Sequence, residues 1–456
     1  MRIAFVHYDY DDFLTSLFDA NPGLASRSYA EQLAARYASQ FGTADFYSAP
    51  MRRWGHDAID IYPNNMPLQR AWLHEHQQEL ARAATAATTV DTTATASAPP
   101  SNGAEPESAG GSDGSVALEA STWAASMTPA RQRIINDLQR LRGAIARTPL
   151  RHARHILRPL TRLIDNKLNW QLKVLETQIR HLRPDVLVNQ SGGYLTQSFL
   201  ERIRPFVGQL VMQHAFAGLP DDLDLAIYDR IVSQFPTTID MFGKAGVPGT
   251  LLHLGFHPPG TVDTAAAAPV AQDVDASFVG NIHSVHGARL RFFERIAPEL
   301  PELQIWSAHI ANLPASSPLR WNGHAAVYGA DMYRVLKRSK VTLNHHGDAP
   351  PFASNMRLFE ATGIGTCLVT DWFDNLPELF EPEKEVVTFR SPEECVDKVR
   401  FYLKHDDARR RIAEAGQARC LRDHTYERRA RQMLDVFEEA VRDPSGRPKV
   451  GAIELQ

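Results

Sequence analysis

At 456 residues, 43% hydrophobic and 22% charged, the chain is long enough for two or three soluble domains, each burying its own core. A formal net charge of −4 excludes a whole-protein field that draws nucleic acid, so no nucleic-acid partner is expected. Three scattered cysteines, Cys367, Cys395 and Cys420, exclude a disulfide framework or a cysteine metal knuckle and point to a reducing, cytoplasmic compartment. The N-terminus lacks the apolar region of a signal peptide, and no apolar run approaches the ~18 residues of a membrane span. Any membrane contact would be peripheral.

Arg2 to Tyr8 is short and apolar and predicts a buried strand, followed by an acidic loop holding Asp9, Asp11 and Asp12. A helix is expected over 28–41, strands over 43–47 and 57–62, and a helix over 68–82 with Pro67 at its first turn. From 83 to 116 Ala, Thr, Ser, Gly and Pro replace the large apolar residues, so nothing offsets the entropy of ordering and the segment reads as a disordered insertion. Two helical stretches, 129–147 and 157–182, make 129–182 a helical insertion; Leu163, Leu168, Leu172, Leu175, Ile179 and Leu182 lie close to one face of the second. Nine arginines from Arg131 to Arg162 meet few acids there. They suit either an anionic lipid surface or a solvated hairpin.

Strands at 185–189, 208–213, 230–233 and 250–254 alternate with helices at 194–203 and 236–244, the pattern of βαβ units on a parallel sheet. Pro, Gly and Ala then dominate 257–273, read as a linker between an N-terminal domain (1–256) and a second α/β domain (274–425), with a C-terminal helix and tail at 426–456. In the second domain, strands are expected at 276–280, 304–307, 341–344 and 366–370, and helices at 289–296, 332–338 and 355–362. Ser391-Pro392-Glu393-Glu394 is a capping box opening a helix to about Lys404, and a last helix covers 426–441. The fold class is therefore α/β, two Rossmann-like domains facing each other across a cleft lined by the carboxyl ends of both sheets.

The segment Val341 to Asp371, VTLNHHGDAPPFASNMRLFEATGIGTCLVTD, carries the chemistry. A strand ends at Asn344, a polar loop with His345 and His346 follows, and Ser354 is placed to cap a short helix that Gly363 and Gly365 end. Backbone N–H groups at Ser354, Asn355 and Met356 would then point out of the helix start and bind an anion. Arg357 adds a permanently charged fork in the first turn, and Glu360, one turn on, suits the paired hydroxyls of a ribose. A plain ion pair three residues apart on a helix surface explains the last two equally well.

This segment resembles the donor-binding signature of glycosyltransferases of the two-Rossmann-domain (GT-B) type, specifically the CgeB-like, spore-maturation-type group related to the retaining family-4 enzymes. The likeness extends to YAEQLAARYASQFGTADFY, RIVSQFP, HLGFHP, DMYRVLKRSKVTLNHH, NLPELFEPEKEVVTFRSPEE and DHTYERRARQM. It implies sugar transfer from a nucleotide-diphosphate donor without a metal or other cofactor, the metal being replaced by a helix terminus and basic side chains. The acceptor implied is a cell-surface glycan, a glycolipid or lipid-linked precursor, or a protein. Related enzymes hold sugar and ribose with two glutamates separated by seven residues. Glu360 matches the second, whereas Phe352 stands at the first.

The same resemblance implies further positions. Asn281, in the loop after the first strand of the second domain, would meet the diphosphate, with Arg289 nearby to neutralise it. Tyr328 would stack on the base or else serve the core, and Asn344 and His345 would line the donor site. Asp9, with Asp12 as second choice, would be the general base if the reaction inverts, and His214 would contact the sugar or else be structural. Two other functions fit the same residues: a nucleotide-sugar epimerase, and a non-catalytic assembly protein that keeps a nucleotide-sugar site.

Overall fold

The computed structural model describes residues 1–94, 170–215, 223–258, 270–282, 287–308, 310–347 and 352–442. Two compact units divide the chain, one of residues 1–34, 59–210 and 220–227, the other of residues 35–58, 211–219 and 228–456. The expected helix 129–147, its arginine-rich neighbourhood and residues 95–116 of the insertion expected over 83–116 lie outside the described residues.

In chain order the first half contains β1 (Arg2–Val6), α1 (Asp11–Ala20), α2 (Tyr29–Ala38), α3 (Ser48–Arg53), β2 (Asp57–Ile61), α4 (Met66–Ala94), α5 (Trp170–Leu182), β3 (Val186–Asn189), α6 (Gln197–Ile203), β4 (Gln209–His214), β5 (Arg230–Ser233), α7 (Pro236–Lys244) and β6 (Gly249–Leu251). Its six strands form one sheet in the order β2-β1-β3-β4-β5-β6. The pairing is parallel where Ile3 faces Val186 and Val6 faces Asn189. Four of the five residues of β1, and every residue of β3, β4 and β5, are buried. Continuous burial is what a parallel sheet covered on both faces demands.

Three expectations fail here for identifiable reasons. The acidic segment is not a loop: Asp11 and Asp12 open α1, where two carboxylates in the first turn favour the helix dipole. Residues 43–47 are turns leading into α3 rather than a strand, because Gly42 and Ala44 take left-handed φ values of 60° and 37°. The insertion does not begin at 83: α4 continues to Ala94. A helix already anchored through Trp72, Leu73 and Leu80 propagates into an alanine-rich sequence at little cost.

The second half continues with β7 (Val274–Val279), α8 (Gly287–Ile296), β8 (Leu303–Trp306), β9 (Gly323–His324), α9 (Gly329–Arg338), β10 (Ser339–Asn344), α10 (Met356–Gly363), β11 (Cys367–Asp371), α11 (Leu376–Leu379), β12 (Val387–Phe389), α12 (Pro392–Lys404), α13 (Asp406–Asp423) and α14 (Tyr426–Arg442). These six strands are ordered β12-β11-β10-β7-β8-β9, and all recorded pairings are parallel. Helices cover both faces. Ala276, Phe278, Val341 and Leu343 pack with Phe293, Val399 and Ile412 on one side, while Val279 and Leu368 pack with Leu336, Leu358 and Phe359 on the other. Cys367, Cys395 and Cys420 are free and buried. Among the described residues no helix is long and apolar enough to cross a membrane.

Candidate functional site

The order of the second sheet reverses between β7 and β10, and ligands of open α/β sheets bind beyond the carboxyl ends of strands at such a point. Three things converge there: the end of β7 at Val279, the end of β10 at Asn344, and the N-terminus of α10. The cap of α10 is Asn355, whose side chain accepts from the Leu358 N–H at 3.3 Å. Ser354 was expected to cap. Instead it is buried and its hydroxyl donates to the Phe352 carbonyl at 3.4 Å, because the helix starts one residue later. Asn344 and Asn355 exchange amide hydrogen bonds of 3.1 and 2.8 Å, fixing the cap to the strand end, and Asn344 also donates to Thr370 Oγ1. With the cap satisfied, the Met356 and Arg357 N–H groups at the open end have no backbone acceptor among the described residues.

The other end of α10 is closed by a Schellman turn: Thr366 N–H donates to the Ala361 carbonyl and Gly365 N–H to the Thr362 carbonyl. Gly365 supplies the φ of +81° that this turn needs. Short, capped at both ends and buried along six of its eight residues, α10 is a rigid carrier.

Arg357 and Glu360 are neither a solvated surface pair nor a freely exposed fork. Arg357 Nε and Nη2 both donate to the Val279 carbonyl, at 3.2 and 3.0 Å, and Nη1 reaches Glu360 Oε2 at 2.8 Å and the Met332 sulfur at 3.0 Å. The guanidinium ties the start of α10 to the end of β7. Burial pushes the Glu360 carboxyl upward against the pull of Arg357.

Arg289, on α8, donates from Nε to the His345 carbonyl and from Nη1 to the Asn281 carbonyl, each at 3.0 Å, and so clamps the loops that follow β10 and β7. Asn281 is exposed beside it, while residues 283–286 lie outside the described residues. The adjacent rings diverge. His345 lies against Phe292 at 4.6 Å and its Nδ1 accepts from the Gly347 N–H. His346 packs edge-on to Phe373 and binds Asp371 through Nδ1 at 2.6 Å. The Ser354 N–H donates to His346 Nε2, so Nδ1 carries the ring proton and the ring ties β11 to the entry of α10. Burial works against the Asp371 carboxylate, yet its electrostatic interaction and hydrogen bonds with His346, and its interaction with His345, hold it below its ordinary range. Asp371 was not singled out from sequence. Its signal was an acid ending a parallel strand.

A cavity of about 280 Å³ opens beside these groups, lined by His345, Asp371, Trp372, Phe389, Arg390 and Phe292, with the Arg390 guanidinium over the Trp372 ring at 4.2 Å. Tyr328 is half-buried at the start of α9, edge-on to Phe41 at 5.3 Å. Gly329 beside it has a φ of +50°, and its backbone lies so close to the Ser39 carbonyl that no Cβ fits.

On the first sheet the order reverses between β1 and β3. Asp9 follows β1, 2% exposed, with its backbone N–H on Asn64 Oδ1 and its carbonyl accepting from Asn64 Nδ2. Asp12 is exposed on α1. His7, two residues before Asp9, holds Asp60 at 2.8 Å and stacks on Tyr62 at 4.6 Å. Sequence reasoning missed Asp60 because its partner lies on another strand. His214, the last residue of β4, is buried, with Nδ1 3.3 Å from Thr238 Oγ1.

Residues 288–435, which include α10 and its flanking strands, match the family described as Glycosyl transferase-like. No curated protein sequence matches the chain. Among solved structures, it is similar to sucrose-phosphate synthase from Thermosynechococcus elongatus: 13% identity, 60% of this chain, 78% of that one, TM-score 0.46. A glycosyltransferase from Rickettsia africae has 10% identity, coverage of 60% and 81%, and a TM-score of 0.44. HepE from Anabaena, crystallised with UDP-glucose, has 13% identity, coverage of 60% and 83%, and a TM-score of 0.43.

Proposed function

We propose that the chain is a GT-B glycosyltransferase that moves a sugar from a nucleotide-diphosphate donor to a glycan, lipid-linked or protein acceptor. The open N-terminus of α10 carries the reading: a capped, rigid helix with two amides that have no backbone acceptor among the described residues, at the switch point of its sheet, in the segment that matches the glycosyltransferase-like family. Departure of the nucleotide develops negative charge on the diphosphate. The Met356 and Arg357 amides and the dipole of α10 stabilise that charge, each well-placed donor contributing ~3 kcal/mol in enzymes of known mechanism. No metal is required in this scheme. Arg357, committed to Val279 and Glu360, acts chiefly by holding the helix start against β7. Asn281 and Arg289 shape the phosphate loop, Asn344 and His345 line the donor site, Tyr328 takes the base and Glu360 the ribose.

Asp9 follows the end of β1 and His214 ends β4, at the edge where such sheets bind ligands, and they receive the acceptor-side roles of base and sugar contact. The motifs that surround α10 favour the CgeB-like group, with a cytoplasmic location and peripheral membrane contact. The domain limits proposed remain 1–256, 257–273 and 274–425.

A thermal-shift screen of the uridine, guanosine, thymidine and cytidine diphosphates and their sugars tests the reading. Stabilisation by at least one diphosphate is expected, with release of that diphosphate when an acceptor is added. A free epimer formed from donor alone supports an epimerase instead. If no diphosphate stabilises the protein, the site is not a donor site.

A further inference from the structure

We propose a divalent-metal site, of the Zn²⁺ type, formed by His76 and Glu79 of α4 and His181 of α5. None of its ligands belongs to the elements that build the α10 site. The donor atoms of the three side chains all lie within 4.8 Å of one another. His76 and Glu79 stand three apart on α4 and therefore share a face, and His181 Nε2 approaches Glu79 Oε1 at 3.9 Å. Tetrahedral Zn²⁺ with ligand bonds of about 2.0–2.2 Å needs its donors ~3.3 Å apart, so small side-chain rotations close the set. Two imidazoles and a carboxylate make a donor set that Zn²⁺ accepts, leaving one position for water.

A second observation points to a ligand. His76 Nδ1 lies 2.9 Å from the Trp72 carbonyl, which can only accept, so Nδ1 carries the proton and Nε2 presents its lone pair. Metal-binding histidines are oriented by this kind of outer hydrogen bond. The ring is further held flat against the Trp72 indole, at 4.4 Å and 17°, and His181 stands edge-on to both rings. Beneath them Trp72, Leu73 and Leu80 of α4 pack with Trp170 and Val174 of α5, which keeps the two helices together before any ion arrives.

α4 ends at Ala94 and α5 begins at Trp170, so the three ligands bracket the whole intervening stretch of chain. A metal joining them closes a long loop, the arrangement in which a clip constrains the unfolded chain most. An ion held there would join the two ends of the insertion.

The full-length protein, stripped with a chelator, should bind one equivalent of Zn²⁺ in calorimetry and give a Co²⁺ visible spectrum with nitrogen and oxygen ligands. His181→Ala and Glu79→Gln should each weaken Zn²⁺ binding at least ~10-fold, since loss of an outer-shell partner alone costs that much. Zn²⁺ should raise the melting temperature of the parent protein but not of His181→Ala, while the metal-free melts coincide. Failure of the parent protein to bind saturably overturns the site. So does a His181→Ala variant that binds as tightly as the parent. Nucleotide stabilisation, measured in parallel, reads the α10 site independently.

Discussion

At the scale of single residues, Asn355 decides two things at once. Its side chain caps α10 and is locked to Asn344, and it stands where an anion would arrive. Aspartate caps a helix as well as asparagine does and suits the dipole, but it has no N–H for Asn344 Oδ1, so Asn355→Asp should fold with its stability lowered by ~1 kcal/mol. The new carboxylate also occupies the anion's place. Binding of the preferred nucleoside diphosphate should fall at least ~10-fold, or ~1.4 kcal/mol, in a calorimetric titration. Unchanged affinity would put the ligand elsewhere. Arg357 calls for a different experiment, because its guanidinium neutralises a buried Glu360. Arg357→Ala strands that carboxylate and should cost ~3 kcal/mol in urea unfolding, whereas Arg357→Met combined with Glu360→Leu should recover most of the loss. A double variant no more stable than Arg357→Ala would show that the pair is not the reason for the cost.

At the scale of elements, local chemistry was legible and long-range chemistry was not. The strand at Arg230–Ser233 and the helix at Pro236–Lys244 lie where turn signals and apolar runs placed them. Ser391 caps α12 through the Glu394 N–H, as its spacing required, although the Glu394 carboxylate reaches back to Arg390 rather than to the cap residue itself. α13 escaped notice because its buried face is only Arg409, Ile412, Gly416 and Cys420, too sparse to make a stripe. The contact from Arg357 to a carbonyl seventy-eight positions away, and the pairing of His346 with Asp371, depend on sheet order, which periodicity does not encode. The two glycines near the end of α10 were read as its stop, and one of them is testable. Gly365→Ala must hold a side chain at φ +81° with Gln417 about 3 Å away, so it should destabilise the protein by ~1–2 kcal/mol in urea unfolding. A neutral result would mean that the turn relaxes without cost.

At the scale of the whole molecule, three histidines couple stability to acidity. His253, His257 and His424 are each held down to about 4, first by burial and then by neighbouring cations such as Arg429 and Arg53, with backbone hydrogen bonding opposing the shift at His424. At His424 the cause is visible in the bonds: Nε2 donates to the Leu379 carbonyl and Nδ1 accepts from Arg429 Nη2, both at 2.8 Å, leaving no acceptor for a second proton. A depressed base binds its proton more readily in the unfolded chain, so its contribution to stability is complete above about pH 6.5 and is lost as pH falls towards 4. Glu360, held above its ordinary range, works the opposite way, but it is one group against three. The carboxylates held low, Asp371 and Glu394 among them, withdraw their share only below the usual carboxylate range. Between pH 6.5 and 4.5 the histidines therefore dominate, and the urea midpoint should fall steadily as the solution is acidified. His424→Gln keeps a donor for Leu379 but does not titrate. It should be less stable at pH 7, yet lose ~2 kcal/mol less than the parent between pH 7 and 4.5, because the penalty for protonating the unfolded histidine is gone. Parallel pH profiles for the two proteins would show that His424 does not titrate on unfolding.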